Sequence, residues 1–330
     1  MMTDKSVRVG VVGTGHLGSH HVKHFANINE AALVGIFDIN KNRSKEVAKK
    51  NNTKSFPSLK ALIEKTDAIS VVTPTESHAK IALQCINSGK HVFVEKPMTN
   101  TISEADALVA SATKNNVILQ IGHIERLNPA LVALKPYNLR PKYIEIQRLA
   151  PYQTRGTDIP VVLDLMIHDI DIILSIVKSK VQSIKATGLS ILTKSIDIAN
   201  ARIEFENGAV ASMTSSRIAQ SKIRKVKIFQ NKLYSTIDLL LGLTEIYQVN
   251  RYTKDKLKSS TNFLFEADNR KKIISYIKPT IKKEDALKLE LINFIKSAKG
   301  ADEPIVNGLE GREALKVAIQ IQDTIMKDLK

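Results

Sequence analysis

The chain has a single cysteine, Cys85, so no disulfide can form within it, and the surrounding AKIALQCINSG reads as an apolar helix with a buried, inert thiol. It also lacks any apolar run approaching the roughly 18–20 residues needed to span a bilayer. The leading MMTDKSVRVG carries an acid and no apolar core, unlike a signal peptide, so the expectation is a cytoplasmic protein away from membranes. Low-complexity tracts are missing too, and 330 residues at 43% hydrophobic content suffice for two domains with sizeable cores. Acidic residues are absent between Asn207 and Ile237, where Arg217, Lys222, Arg224, Lys225, Lys227 and Lys232 gather. A nucleic-acid surface would interleave such charges with stacking aromatics, and only Phe229 and Tyr234 lie near. The stretch therefore reads as a solvated sheet face. The net charge of +16 favours an anionic partner such as a phosphorylated substrate, and nucleic acid is not expected.

What is present begins with an apolar run, Val7 to Val12, leading into Gly13-Thr14-Gly15-His16-Leu17-Gly18 and then a helix. In that context the three glycines differ in role. Gly13 permits a tight turn, Gly15 lets a pyrophosphate approach the backbone, and Gly18 lets helix and strand pack closely. The free amides of the helix N-terminus would hold the phosphates. A second strand, ALVGIFD, ends at Asp38, where a carboxylate accepts ribose hydroxyls and disfavours a 2′-phosphate. NAD is therefore expected over NADP, with Arg43 as a nearby cation. Strands AISVVTP, HVFVEKP and VILQIG then alternate with helical segments, the signature of a parallel sheet. Ligands of such sheets lie beyond the carboxyl ends of the strands. This places Thr73, Pro74, His78, Glu95, Lys96 and His123 in the expected crevice. The fold class is α/β: a Rossmann dinucleotide-binding domain over residues 1–122. An α+β domain over 123–330 would follow, with an open, mostly antiparallel sheet read from YIEIQRLA, VQSIKATGLSI, IANARIEFENGAVASMTSS, RKVKIFQN, LYSTIDL and TEIYQVNRY. Asn207-Gly208 marks a hairpin turn.

The segment VVLDLMIHDID is an apolar helix with one polar line, since the spacing puts Asp164, His168, Asp171 and Ser175 on one face. His16, His20, His21 and His24 invite a metal reading, but no carboxylate or cysteine near in sequence completes a site, and no metal is expected.

GKHVFVEKPMT after VVTPTESHAKIAL, behind the glycine fingerprint, resembles the Gfo/Idh/MocA family of sugar and cyclitol dehydrogenases. HIERLNPA, DLMIHD and PIVNGLEGREALKVAIQI extend the resemblance over nearly the whole chain. Leu127 departs from the aromatic residue expected at its position. The resemblance implies NAD-dependent oxidation of a secondary hydroxyl, with Lys96, Asp164 and His168 at the catalytic positions. His168 is favoured as the base. Asp164 would fix its tautomer or hold a substrate hydroxyl, and Lys96 would stabilise the developing alkoxide. His123, Arg126, Asn128, Tyr152 and Arg155 join them as expected substrate contacts, Arg155 on a pyrophosphate. The pairing of GHIERLNPA with VVLDLMIHDID resembles the nucleotide-sugar branch, which implies a nucleotide-sugar substrate, UDP-N-acetylglucosamine oxidised at its 3-hydroxyl, and a downstream aminotransferase as partner. A homodimer or homotetramer is implied as well. The alternatives are a UDP-uronic acid, a free sugar or inositol as substrate, or a regulator that binds NAD(H) without chemistry.

Overall fold

In a computed structural model of the protein, which describes residues 6–153, 159–257, 259, 261–267 and 270–328, the valine-rich run ahead of the glycines becomes the middle of a sheet. Strands β1 (Val7–Val12), β2 (Ala31–Phe37), β3 (Lys54–Ser55), β4 (Ala68–Val71), β5 (His91–Glu95) and β6 (Leu119–Gly122) lie in the order β3-β2-β1-β4-β5-β6, all parallel. The order reverses at β1 and β4, so the loops after Val12 and Val71 border the switch point where such sheets bind ligands.

The first compact unit comprises Met1–Leu127 together with Asp285–Lys316, and the second Asn128–Glu284 with Val317–Lys330. The segment Asp285–Lys316 thus clusters with the first unit. The physical reason is a shared core: Leu287, Leu291, Phe294 and Ile295, on the helix Ala286–Ala298, pack in one cluster with Val9, Phe25, Ile36 and Phe93. The Ile121 amide also donates to the Val306 carbonyl at 3.0 Å. The terminal helix Gly308–Asp328 begins in the first unit and ends in the second.

The second unit holds nine strands: β7 (Tyr143–Leu149), β8 (Val181–Leu189), β9 (Ile198–Phe205), β10 (Val210–Ser216), β11 (Ile223–Gln230), β12 (Leu233–Asp238), β13 (Leu243–Arg251), β14 (Asn262–Ala267) and β15 (Arg270–Ile277). Their order is β14-β15-β13-β12-β11-β7-β10-β9-β8, antiparallel except where β7 and β10 run parallel. The Asn-Gly turn joins β9 to β10 as its sequence predicts, with Gly208 at φ +77°. One face of the sheet is buried through Ile144, Ile146, Ala201, Ile203, Met213, Val226 and Ile228. On the other face, cross-strand neighbours Tyr143, Phe229, Tyr234, Tyr247 and Tyr276 form an aromatic row over five strands, with centroids 4.7–5.6 Å apart. Beyond β8, Asp197 organises a loop. Its carboxylate accepts from the amides of Ile191, Leu192 and Thr193 at 2.6–2.9 Å and from the Thr193 hydroxyl at 2.7 Å. Strands β14 and β15 lie beyond TEIYQVNRY, the last strand read from the sequence.

Candidate active site

In the first unit the glycines do what their spacing implies. Gly13 sits at φ +91°, and a Cβ there would run into the Val72 carbonyl. One at Gly18 would strike the Gly13 carbonyl, so helix and turn touch through hydrogen alone. At Gly15 a Cβ would meet nothing within 4 Å. The helix His16–Phe25 starts at Gly15 without a side-chain cap, its His16 and Leu17 amides among the orphan donors of the first turn. Asp38, at the end of β2, is 7% exposed. It accepts from the Thr14 amide (2.7 Å), the Thr14 hydroxyl (2.8 Å), the Asn40 amide (2.8 Å) and Arg43 (3.2 Å). Burial alone would raise its carboxyl pKa, but these four donors outweigh it and hold the group below its ordinary value. An open approach at Gly15, uncapped amides and a fixed carboxylate fit a dinucleotide pyrophosphate and adenosine ribose. A carboxylate has about four acceptor positions, so a ribose hydroxyl at Asp38 must share with or displace a donor, and half-exposed Arg43 is the one free to yield.

Two of the expected cofactor residues, His78 and Glu95, are buried. His78 is 1% exposed and faces the Thr73 carbonyl at 2.7 Å through Nε2 and the Pro97 carbonyl at 3.0 Å through Nδ1. It thus ties the loop after β4 to the turn after β5, and burial pushes its pKa down despite those carbonyls. Pro74 opens the helix Thr75–Asn87, and the Thr73 hydroxyl accepts from Ser77 at 2.7 Å. Glu95 is 8% exposed, 3.1 Å from His21 Nε2, and accepts from the Lys96 amide at 3.2 Å. A Cβ on Gly122 would come within 2.9 Å of that carboxyl group. His21, fully buried with its Nδ1 3.0 Å from the Ser70 hydroxyl, is a support that the sequence showed only as one member of a histidine cluster. Of the others, His16 and His20 pack edge-on and His24 pairs with Asp285 at 3.4 Å. Among the described residues no group of three or more His, Cys, Asp or Glu is placed to hold a metal ion. Cys85 is buried, which pushes its thiol pKa up to about 12.

Several expected substrate residues have structural work. Arg126 donates to Glu310 at 2.8 Å and to the Ile305 carbonyl at 3.1 Å, which binds the segment after β6 to the terminal helix. His123 is 1% exposed. Asn128 caps the short helix Pro129–Val132 and donates to the Leu239 carbonyl at 3.0 Å. Tyr152 is exposed, and Arg155 lies outside the described residues.

In the second unit the helix predicted from VVLDLMIHDID is interrupted. Val162–Met166 forms a π-helical turn, followed by the α-helix Ile167–Val177. Such widened turns inside helices occur often at functional sites. The single polar line is therefore only partly right. Asp164 and His168 are half-buried, whereas Asp171 is 1% exposed and belongs to the interior. Asp169, fully buried, accepts twice from Arg148 of β7, at 2.7 and 2.9 Å. That pair was missed because it needs the strand register; the only signal was a second acid beside His168. Asp164 lines a cavity of about 170 Å³ with Arg148, Arg217, Lys222 and Arg224.

Comparison with known proteins agrees with this geometry. Residues 7–123 match the oxidoreductase family with NAD-binding Rossmann fold, and residues 146–232 match the GFO/IDH/MocA C-terminal domain. The UDP-N-acetylglucosamine 3-dehydrogenase of Acidithiobacillus ferrooxidans is 35% identical over 96% of each chain. Its solved structure superposes with a TM-score of 0.88 over 98% of this chain and 99% of that one, at 33% identity. The myo-inositol 2-dehydrogenase of Thermotoga maritima is 26% identical over 94% of this chain and 93% of its own length. With its glycine cradle, its parallel sheet and its open antiparallel sheet, the chain belongs to the Gfo/Idh/MocA family of NAD-binding oxidoreductases.

Proposed function

We propose that this NAD-dependent dehydrogenase oxidises the 3-hydroxyl of UDP-N-acetylglucosamine to the 3-keto nucleotide sugar. The observation that carries the reading is 35% identity over 96% of the chain to an enzyme named for that reaction. The net charge of +16 suits a diphosphate-bearing substrate.

Bound NAD supplies the hydride acceptor. His168 takes the hydroxyl proton, imidazole being the side chain that most often serves as a general base. Asp164, four residues earlier, fixes the imidazole tautomer or holds a neighbouring hydroxyl. Lys96 offers its ammonium to the oxygen as negative charge develops. Glu95, held by His21 and by the Lys96 amide, positions the backbone that carries Lys96. In the wider reading, Tyr152 and Arg155 contact the nucleotide, the working protein is a cytoplasmic homodimer or homotetramer built on the aromatic face of the nine-stranded sheet, and an aminotransferase consumes the ketone. Inositol is the second substrate reading, favoured by the 26% identity to the Thermotoga enzyme.

The test is NADH absorbance with protein, NAD and UDP-N-acetylglucosamine, coupled to a glutamate-dependent aminotransferase that draws off the ketone. NADH formation with the nucleotide sugar, and none with myo-inositol, is the expected result. The reverse pattern would overturn the substrate and leave the family and cofactor untouched.

A further inference from the structure

Ser70 of β4, His21 of the helix His16–Phe25 and Glu95 of β5 make one line inside the first unit. Ser70 and His21 are fully buried. The Ser70 hydroxyl stands 3.0 Å from His21 Nδ1, and His21 Nε2 stands 3.1 Å from one Glu95 oxygen. Serine, histidine and an acid are the residue types of a nucleophilic triad, but a serine shut inside the sheet meets no substrate, so the line has other work. A hydroxyl that donates to Nδ1 leaves the imidazole proton on Nε2, facing the acid. The other Glu95 oxygen accepts from the Lys96 amide at 3.2 Å. Packing leaves the acid no second position. Its register partner on β6 is Gly122, where a Cβ would come within 2.9 Å of the carboxyl group. Phe93, the register partner of Ser70, meets the His21 ring edge-on at 5.5 Å and is backed by Phe294 at 5.7 Å. An apolar side chain at position 95 would continue the buried run of Val92, Phe93 and Val94 without the cost of burying a polar group. What the acid adds is direction: it holds the amide of the residue that follows.

We infer that His21 is a positioning residue for Lys96: through Glu95 it fixes the backbone from which the lysine ammonium reaches the reacting oxygen. The inference rests on the role given to Lys96 above, and it traces an effect on turnover to a histidine with no exposed surface. The helix that carries His21 thus serves twice. Its first amides suit a pyrophosphate, and its second turn supports the turn after β5. Ser70 acts one step further out, by setting which ring nitrogen carries the proton.

The test reads the Lys96 backbone without any substrate, by hydrogen exchange of its amide in NAD-saturated protein, followed residue by residue with mass spectrometry. His21→Leu removes the donor to Glu95 and should speed exchange at Lys96 by about ten-fold or more, the worth of a charge-assisted hydrogen bond, while the core amides of β1 keep their wild-type rates. Turnover should fall by about the same factor, with KM for the sugar and NAD affinity within about two-fold of wild type. His21→Gln offers an amide N–H in place of the imidazole's and should recover most of both losses. Ser70→Ala should cost about three-fold, the worth of a neutral hydrogen bond. The double change His21→Leu with Glu95→Leu removes the buried acid as well, so its melting temperature should return towards wild type while turnover stays low. A purely structural histidine would give the opposite, turnover returning with stability. Unchanged Lys96 exchange in His21→Leu, or wild-type turnover in the double variant, would overturn the inference. If exchange at Lys96 rises as expected but Lys96→Ala turns over like wild type, the hold on its backbone stands and the role given to Lys96 falls. If no sugar or polyol is oxidised, the exchange measurement alone decides.

Discussion

Strands β1, β4, β5 and β6 are buried almost residue after residue, whereas β9, β10 and β12 alternate buried and half-exposed positions. The first pattern belongs to a parallel sheet covered on both faces, the second to an antiparallel sheet covered on one. The two sheets also carry function differently. In the first unit the chemistry lies in the backbone at strand ends: a turn only glycine can make, uncapped amides, and one carboxylate held by two amides and two side chains. In the second, the proposed chemistry lies in side chains: Asp164 and His168 on an interrupted helix, with a buried ion pair beside them. Binding of NAD should therefore depend on the first unit and proton transfer on the second, and each expectation below tests that split.

The largest effect is expected at His168. His168→Ala should lower turnover by about a hundred- to ten-thousandfold while NAD affinity stays at the wild-type value, measured by NADH formation and by fluorescence titration of the cofactor. Turnover above about one tenth of wild type would remove His168 from the base role. Next comes a contrast between ion pairs. Arg148→Ala leaves the Asp169 charge buried and should cost about 3–5 kcal/mol in a denaturant melt. Arg43→Ala opens the half-exposed pair with Asp38 and should cost under about 1 kcal/mol. Similar losses would mean that the second unit is not the one held by buried polar contacts.

The smallest effect concerns Asp197. Burial alone would raise its carboxyl pKa, but the Thr193 hydroxyl and three amides prevail and bring it to about 2. The folded chain thus binds this proton less readily than the unfolded chain does. The stabilisation is complete above the unfolded value near pH 4 and is lost as pH falls towards 2. Asp197→Asn should cost about 1–2 kcal/mol at neutral pH, and the gap from wild type should close across that acid range. A gap independent of pH would assign the loop's stability to packing.

The same contrast explains what could be read before the structure. The glycine turn, Asp38 and the parallel sheet were legible because their determinants lie within a few residues of one another. The Asn207-Gly208 hairpin was legible for the same reason. The helix with Asp164 and His168 was found by its apolar content, but its π turn and the burial of Asp171 were not, since a helical period presumes the regular step that the turn breaks. Arg126 and Asn128 looked like substrate contacts because they are polar and follow a strand of the nucleotide sheet. Their partners, Glu310 and the Leu239 carbonyl, stand more than a hundred residues away. His21 with Glu95, and Arg148 with Asp169, are nearer in sequence but escaped notice because each pair joins a helix to a strand whose packing the sequence does not show.

The core shared by Phe25, Phe93 and the helix Ala286–Ala298 bears on how the protein is made. About 160 residues separate Leu127 from Leu287. At about 5–20 residues per second, a ribosome needs on the order of 10 to 30 s to bridge them, and throughout that time the nascent nucleotide unit lacks Leu287, Leu291, Phe294 and Ile295. Its apolar surface stays uncovered until the helix Ala286–Ala298 has been made. The unit that carries the cofactor cradle thus waits for a helix made long after it, and a genetic fusion or truncation that removed that helix would act on the cradle's own core.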